Sequence, residues 1–151
     1  MGAVKIYRPA KSILSDIQRT LAAKPSIHHS PLGTVAGLLC EGRHYSWVGI
    51  YLTLDRKSAP ALLQDASDLR QNQIAHPTTR KKIIVSMKIA GREVGTLNVE
   101  SSLEDSFGSE DRVLIERVAG LLARFLTSTG KYLVRKAAKP VESAMPKAAA
   151  A

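Results

Sequence analysis

The sequence predicts an α+β fold in which an antiparallel sheet carries N- and C-terminal helices packed on one face. Three observations predict it. Residues 82–124 run KIIVSMKIAGREVGTLNVESSLEDSFGSEDRVLIERVAGLLAR, which reads as a β-hairpin, a polar turn and an amphipathic helix with an acidic start. Upstream, YSWVGIYLTL at 45–54 is aromatic and β-branched, the composition of a strand. Near the N-terminus, apolar residues recur at helical spacing.

The first helix is expected over 10–24, where Ile13, Ile17 and Leu21 recur every four residues beside Leu14, and Pro25 closes it. Ser30 then Pro31 form an N-cap and first-turn proline for a second helix, with Leu32, Val35, Ala36, Leu38 and Leu39 as its stripe and its end near Gly42. A strand over 46–54, a turn at 55–58 and a weaker return strand at 62–66 follow. Residues 67–81 are polar, contain Pro77 and read as a loop with one helical turn at 68–73. Strands 82–90 and 93–101 pair across Gly91-Arg92, glycine permitting the positive φ of a tight turn. Ser109 is expected to cap the last helix, with Glu110 and Asp111 against its positive end. Leu114, Val118, Leu121, Leu122 and Phe125 form its buried stripe, and Gly130 ends or kinks it before an optional continuation over 132–138. Residues 1–138 are expected to form one domain and 139–151, KPVESAMPKAAAA, a flexible tail.

Composition narrows the function classes. No apolar run approaches the roughly 18 residues of a membrane helix, and the start, MGAVKIYRPAKS, lacks a secretory h-region. A cytoplasmic protein without membrane contact is expected. The formal charge of +9 does not imply nucleic acid. Arg80, Lys81 and Lys82 make one short cluster, Lys131, Arg135, Lys136, Lys139 and Lys147 lie in the final segment, and no aromatic residues interleave with them. Cys40, the single cysteine, lies on the second helix and reads as a core residue rather than a reactive thiol. His28 and His29 are far in sequence from His44 and His76, so no metal site is expected. No cofactor motif is present either: there is no phosphate loop or nucleophile elbow.

Because strands alternate sides, the sheet can be divided into two faces. Val48, Ile50, Leu52 and Leu54, Ile83, Val85, Met87 and Ile89, and Leu97 and Val99 belong against helices. The other face carries Trp47, Tyr51, Lys82, Ser86, Thr96, Asn98 and Glu100. Aromatic bodies mixed with polar tips line small-molecule pockets, whereas many antiparallel sheets simply wet one side. Of these residues Trp47, Tyr51, Lys82, Ser86, Asn98 and Glu100 are the candidate ligand contacts, and no catalytic residue is assigned.

The segments SWVGIYL, KIIVSMKIAGREVGTLNVES and SFGSEDRVLIERVAGLLARFL, in this order and spacing, resemble the GAF small-molecule sensor domain, most closely the GAF proteins that reduce free methionine-R-sulfoxide. The resemblance implies a ligand cavity on the wet sheet face under a long connection. In the reductase branch it also implies three functional cysteines in that connection, with acids that hold the substrate's amino group. Those cysteines are absent and the connection is short. Lys82 aligns with a substrate-binding glutamate and Asn98 with an aspartate, and only Glu100 keeps acid character. The string from Phe107 to Asp111 resembles part of a nucleotide-type GAF signature, but an acidic helix start explains it without a ligand.

The function expected is therefore non-catalytic: small-molecule sensing, or a signalling and interaction domain, with a small anionic or zwitterionic metabolite as ligand. The alternative is an enzyme acting on a small oxidised metabolite, as methionine sulfoxide reductases do. The last helix carries Val113, Leu114, Ile115, Val118, Leu121, Leu122, Phe125 and Leu126, more than one narrow stripe, so a homodimer through the first and last helices is expected.

Overall fold

The computed structural model describes residues 7–24, 30–43, 45–54, 59–67, 81–101 and 107–138. Helix α1 spans Ala10–Ala22 and α2 Pro31–Gly42. Strands β1 (Trp47–Leu52), β2 (Ala61–Ser67), β3 (Lys81–Ile89) and β4 (Arg92–Ser101) follow, then α3 (Ser109–Leu126) and α4 (Lys131–Ala138). The four strands form one antiparallel sheet in the order β2-β1-β4-β3. Helix α2 lies over β1 and β2, α3 over β3 and β4, and α1 packs against both helices, which is the predicted two-layer α+β architecture.

Sequence alternation identifies the buried face of the sheet. Val48, Ile50, Leu52, Ile83, Met87, Leu97 and Val99 are all buried. From the helices come Ile13, Ile17, Val35, Leu39, Leu114, Ile115, Val118 and Leu122, so each helix removes one stripe from water. Leu54, assigned to the same set, lies past the end of β1 and is 40% exposed. The first helix stops short of its expected end at Lys24, and the last breaks near Gly130 as expected. Ala23 is already extended (ψ 153°), as the approach to Pro25 disfavours helix, and residues 127–130 form a turn that separates α4 from α3.

The β3-β4 turn is shifted by one residue from the expected Gly91-Arg92. Ile89 pairs with Arg92, and Ala90 (φ 50°) and Gly91 (φ 79°) are its two central residues. Two positive φ values match the twist of a two-residue hairpin; glycine takes the second without cost, and alanine takes the first at about 1–2 kcal/mol. Ser30 caps α2 as expected, accepting from the Gly33 N–H at 3.2 Å. At α3 the cap is Gly108 rather than Ser109, because the Asp111 carboxylate reaches back to the Gly108 N–H at 3.1 Å. The helical turn expected at 68–73, the histidines at 28, 29, 44 and 76, and the tail from 139 lie outside the described residues.

Asp111 does more than complement the α3 dipole. Its Oδ1 accepts from Tyr45 Oη at 2.5 Å and from Arg43 Nη2 and Nε at 2.7 and 3.2 Å. Arg43 Nη1 donates to the Arg8 carbonyl at 3.1 Å and to Glu110 at 3.4 Å. The Arg43 and Asp111 side chains are only 10% and 7% exposed, and the Tyr45 ring lies 5.6 Å from that of Phe107. Burial opposes the charges of Asp111 and Arg43, yet the hydrogen bonds around the carboxylate hold Asp111 below its ordinary pKa and keep Arg43 protonated. Burial and the adjacent carboxylate push the Tyr45 hydroxyl well up, so it stays a donor.

Replacing Asp111 with alanine leaves Arg43 buried without its counter-charge, and urea denaturation at neutral pH is expected to show a loss of about 3–5 kcal/mol. Because the folded pKa of Asp111 is depressed, its contribution is present above the unfolded value near 3.8 and disappears as pH falls through the folded value. An Asp111→Asn variant should therefore lose less stability than the wild type over that acid range.

Candidate functional site

Strand register sets the six candidate residues on one face in cross-strand rows. Trp47 pairs with Glu100, which pairs with Lys82. In the next row Gly49, Asn98 and Ile84 lie side by side, with Asp65 of β2 opposite Gly49. The third row runs Tyr51, Thr96, Ser86. Trp47, Tyr51, Ser86, Asn98 and Glu100 are half-buried and Lys82 is exposed.

The missing side chain of Gly49 decides how the aromatic residues lie. A Cβ at that position would stand 2.2–2.9 Å from the Trp47 ring, so the indole folds along β1 into the place a side chain would fill. There it donates through Nε1 to Asp65 Oδ2 at 3.1 Å and faces the Tyr51 ring at 6.3 Å between centroids, tilted by 58°. The indole thus occupies the position beside Asn98. Asn98 Oδ1 is buried and, among the described residues, accepts no hydrogen bond, a state that leaves a polar atom about 1–3 kcal/mol short. Ile84, on its other side, is 55% exposed although it is a large apolar residue. Ser86 is committed within the sheet, donating to Glu93 Oε1 at 2.6 Å.

Three parts of this surface went unidentified in the sequence. They are Gly49, Ile84 and Asp65. Asp65 becomes legible only once the β1-β2 register is known, and a bulge between Ile50 and Tyr51 shifts that register.

Cys40 lies on the other side of the molecule. It is buried under α2, 3% exposed, and its Sγ is 3.4 Å from the Ala66 carbonyl. Among the described residues no group of three His, Cys, Asp or Glu side chains is placed to hold a metal ion.

A four-stranded antiparallel sheet with helices on one face and this strand order defines a GAF-like fold. Solved structures similar to the chain carry the same fold. Free methionine-R-sulfoxide reductase from Neisseria meningitidis, in complex with its substrate, superposes with a TM-score of 0.67 at 18% identity, over 87% of this chain and 99% of that one. The GAF domain of a phosphoenolpyruvate-protein phosphotransferase from Coxiella burnetii gives 0.65 at 14% identity, over 82% and 96%. Type II free methionine-R-sulfoxide reductase from Thermoplasma acidophilum gives 0.53 at 16% identity, over 79% and 95%. No protein-family model and no curated protein matches the sequence.

The Gly49 hollow is testable through Trp47, the sole tryptophan of the chain. Gly49→Ala should drive the indole off the sheet, shifting its emission to the red and costing about 1–3 kcal/mol of stability, with an unchanged far-UV circular dichroism spectrum. An emission maximum identical to the wild type would mean that the ring does not rest in that hollow.

Proposed function

We propose that this domain is a non-catalytic, cytoplasmic GAF-like module that binds a small anionic or zwitterionic metabolite on the Trp47 face and serves sensing or signalling. The observation that carries the reading is the gathering of Trp47, Tyr51, Lys82, Asn98 and Glu100 on the sheet face away from the helices. Stacking surface, a hydrogen-bond acceptor and opposite charges are the elements of small-molecule recognition. The alternative, an enzyme acting on an oxidised metabolite in the manner of methionine sulfoxide reductases, draws support from the reductases of the same fold. Against it stands thiol chemistry: reduction through a thiolate needs an accessible sulfur and a resolving thiol, and this chain has one cysteine, buried under α2.

A thermal-shift screen tests the reading. Small carboxylates should raise the melting temperature more than matched neutral compounds, and Lys82→Glu should abolish the rise while leaving the unliganded melting temperature within a few degrees, as expected for an exposed residue. No preference for anions, or a response unchanged in the variant, removes Lys82 from the site. Turnover of free methionine sulfoxide with a thiol reductant, above that of a Cys40→Ala variant, would establish the enzyme reading instead.

The proposal includes a homodimer through α1 and α3. Most of the surplus on α3 is covered within the chain: Leu114, Ile115, Val118, Leu122, Phe125 and Leu126 are buried. What remains is Leu121, half-buried, and Val113, 51% exposed, the latter in an open cleft of about 390 Å³ with Leu14, Lys11 and Arg117 on its walls. Sedimentation at micromolar concentration should give a dimer for the wild type and a monomer for Val113→Glu, and a monomeric wild type ends this part of the proposal.

A further inference from the structure

Strand β3 is an outer strand in the order β2-β1-β4-β3, and among the described strands only β4 pairs with it. Its ladder runs without interruption from Lys81 to Met87 before a bulge, whereas that of β2, the other outer strand, is broken near its centre. Two bonds between the first and last strands fix which way the backbone groups turn: Thr53 N–H donates to the Val94 carbonyl at 2.9 Å and Ser46 N–H to the Glu100 carbonyl at 2.8 Å. Backbone groups alternate sides along a strand, so Val94, Thr96, Asn98 and Glu100 turn towards β1, and Gly95, Leu97 and Val99 towards β3. Their partners Met87, Val85 and Ile83 turn inwards to meet them. The extra residue at the bulge belongs to β4, so the alternation in β3 continues to Lys88. The N–H and C=O groups of Lys82, Ile84, Ser86 and Lys88 therefore point outwards, along the open edge of the sheet.

The side chains of the same residues stand on the face away from the helices, and they set the partner. Lys82, Ile84 and Lys88 are exposed, Ile84 to 55%. Lys82 lies opposite Glu100 of β4 and Lys88 opposite Glu93, so two rows alternate acid and base and both end on a lysine at the open edge. An acid on a further strand continues each row about 5.5 Å from the lysine, while a base there meets like charge. A second copy of β3 answers neither row, because KKIIVSMKI has lysines towards both ends and no acid. Edge lysines discourage a sheet from pairing with itself, and the same charges select a strand of opposite sign. We propose that β3 accepts an extended acidic segment of a partner protein as a further antiparallel strand. Acidic residues of that segment stand opposite Lys82 and Lys88, and a β-branched residue covers Ile84. The formal charge of +9 adds a long-range attraction for such a partner.

An end-blocked heptapeptide, Glu-Thr-Thr-Thr-Val-Thr-Glu, matches the ladder from Lys88 back to Lys82 and is titrated into the nitrogen-15-labelled protein. The amides of Lys82, Ile84, Ser86 and Lys88 should shift and gain protection from exchange, and those of Ile83, Val85 and Met87, already turned to β4, should change less. N-methylation of the third and fifth peptide residues, whose N–H groups face β3, should weaken binding at least about ten-fold. N-methylation of the fourth and sixth, which face away, should leave it within about two-fold. The peptide with lysine in place of both acids should not bind. Ile84→Pro removes one outward donor and no bond to β4, so it should keep the melting temperature within a few degrees and lose the peptide. Binding that ignores the position of the methyl groups, equal binding of the basic peptide, or no binding of the acidic one overturns the proposal. So does a wild type whose self-association disappears in Ile84→Pro, since a second copy then holds the edge. Should Ile84→Pro fail to fold, the methylated peptides decide alone. None of these outcomes bears on the small-molecule reading, which the anion screen decides.

Discussion

The Asp111 carboxylate is the constraint around which the two layers are arranged. Burying a charge costs several kcal/mol unless donors surround it, and the donors here come from separate segments: Arg43 at the end of α2, Tyr45 ahead of β1 and the Gly108 N–H ahead of α3. Arg43 in turn binds the carbonyl of Arg8, which leads into α1. Any sliding of α3 along the sheet, or of α2 away from β1, would strand a charge. Tertiary hydrophobic contacts tolerate small shifts; this cluster does not. Its place also governs the candidate face. Tyr45 is fixed by Asp111, the next residue donates its N–H to the Glu100 carbonyl at 2.8 Å, and Trp47 then pairs with Glu100. The row formed by Trp47, Glu100 and Lys82 is thus built at the end of the sheet that the buried cluster pins.

Alternation was enough to sort the sheet because β1, β3 and β4 obey period two over most of their length, with most of their aliphatic residues, Ile84 excepted, on one side. That one-sided pattern made both the core and the candidate face legible before any register was known. The hairpin turn falls one residue earlier than its glycine suggests, because alanine carries no signal for the positive φ that Ala90 adopts. The cluster of Arg43, Tyr45 and Asp111 was not legible at all. Its partners lie 66 and 68 positions apart, and Asp111 already had a sufficient local explanation at the head of a helix. Asp65 escaped for a related reason: a bulge in the β1-β2 pairing breaks the count by which its neighbour across the sheet could be found.

The shared fold leaves the chemistry open. At 14–18% identity the same architecture is found in sulfoxide reductases and in a phosphotransferase GAF domain, and function resides in the side chains set on a fold rather than in the fold itself. In this chain those side chains lie on opposite sides of the sheet. The one thiol is under α2 at the β2 side, while the face bearing Trp47 and Asn98 looks away from the helices. Between them stands the layer of β1 and β2, and covalent attack requires reacting atoms about 3–3.5 Å apart. Cys40 cannot meet a ligand on the Trp47 face without unfolding the sheet that separates them.

The same face also departs from what stability alone favours. Ile84 is exposed on the edge strand β3, although a polar residue would be better solvated there. Asn98 Oδ1 has no donor among the described residues, although threonine or valine would suit a strand and leave no buried acceptor. Gly49 weakens β1 by its own backbone freedom, and what it gains is room for one indole ring. Each departure is small, yet they are adjacent in a single cross-strand row. Local rules are broken together in this one row, where Gly49, Asn98 and Ile84 lie side by side.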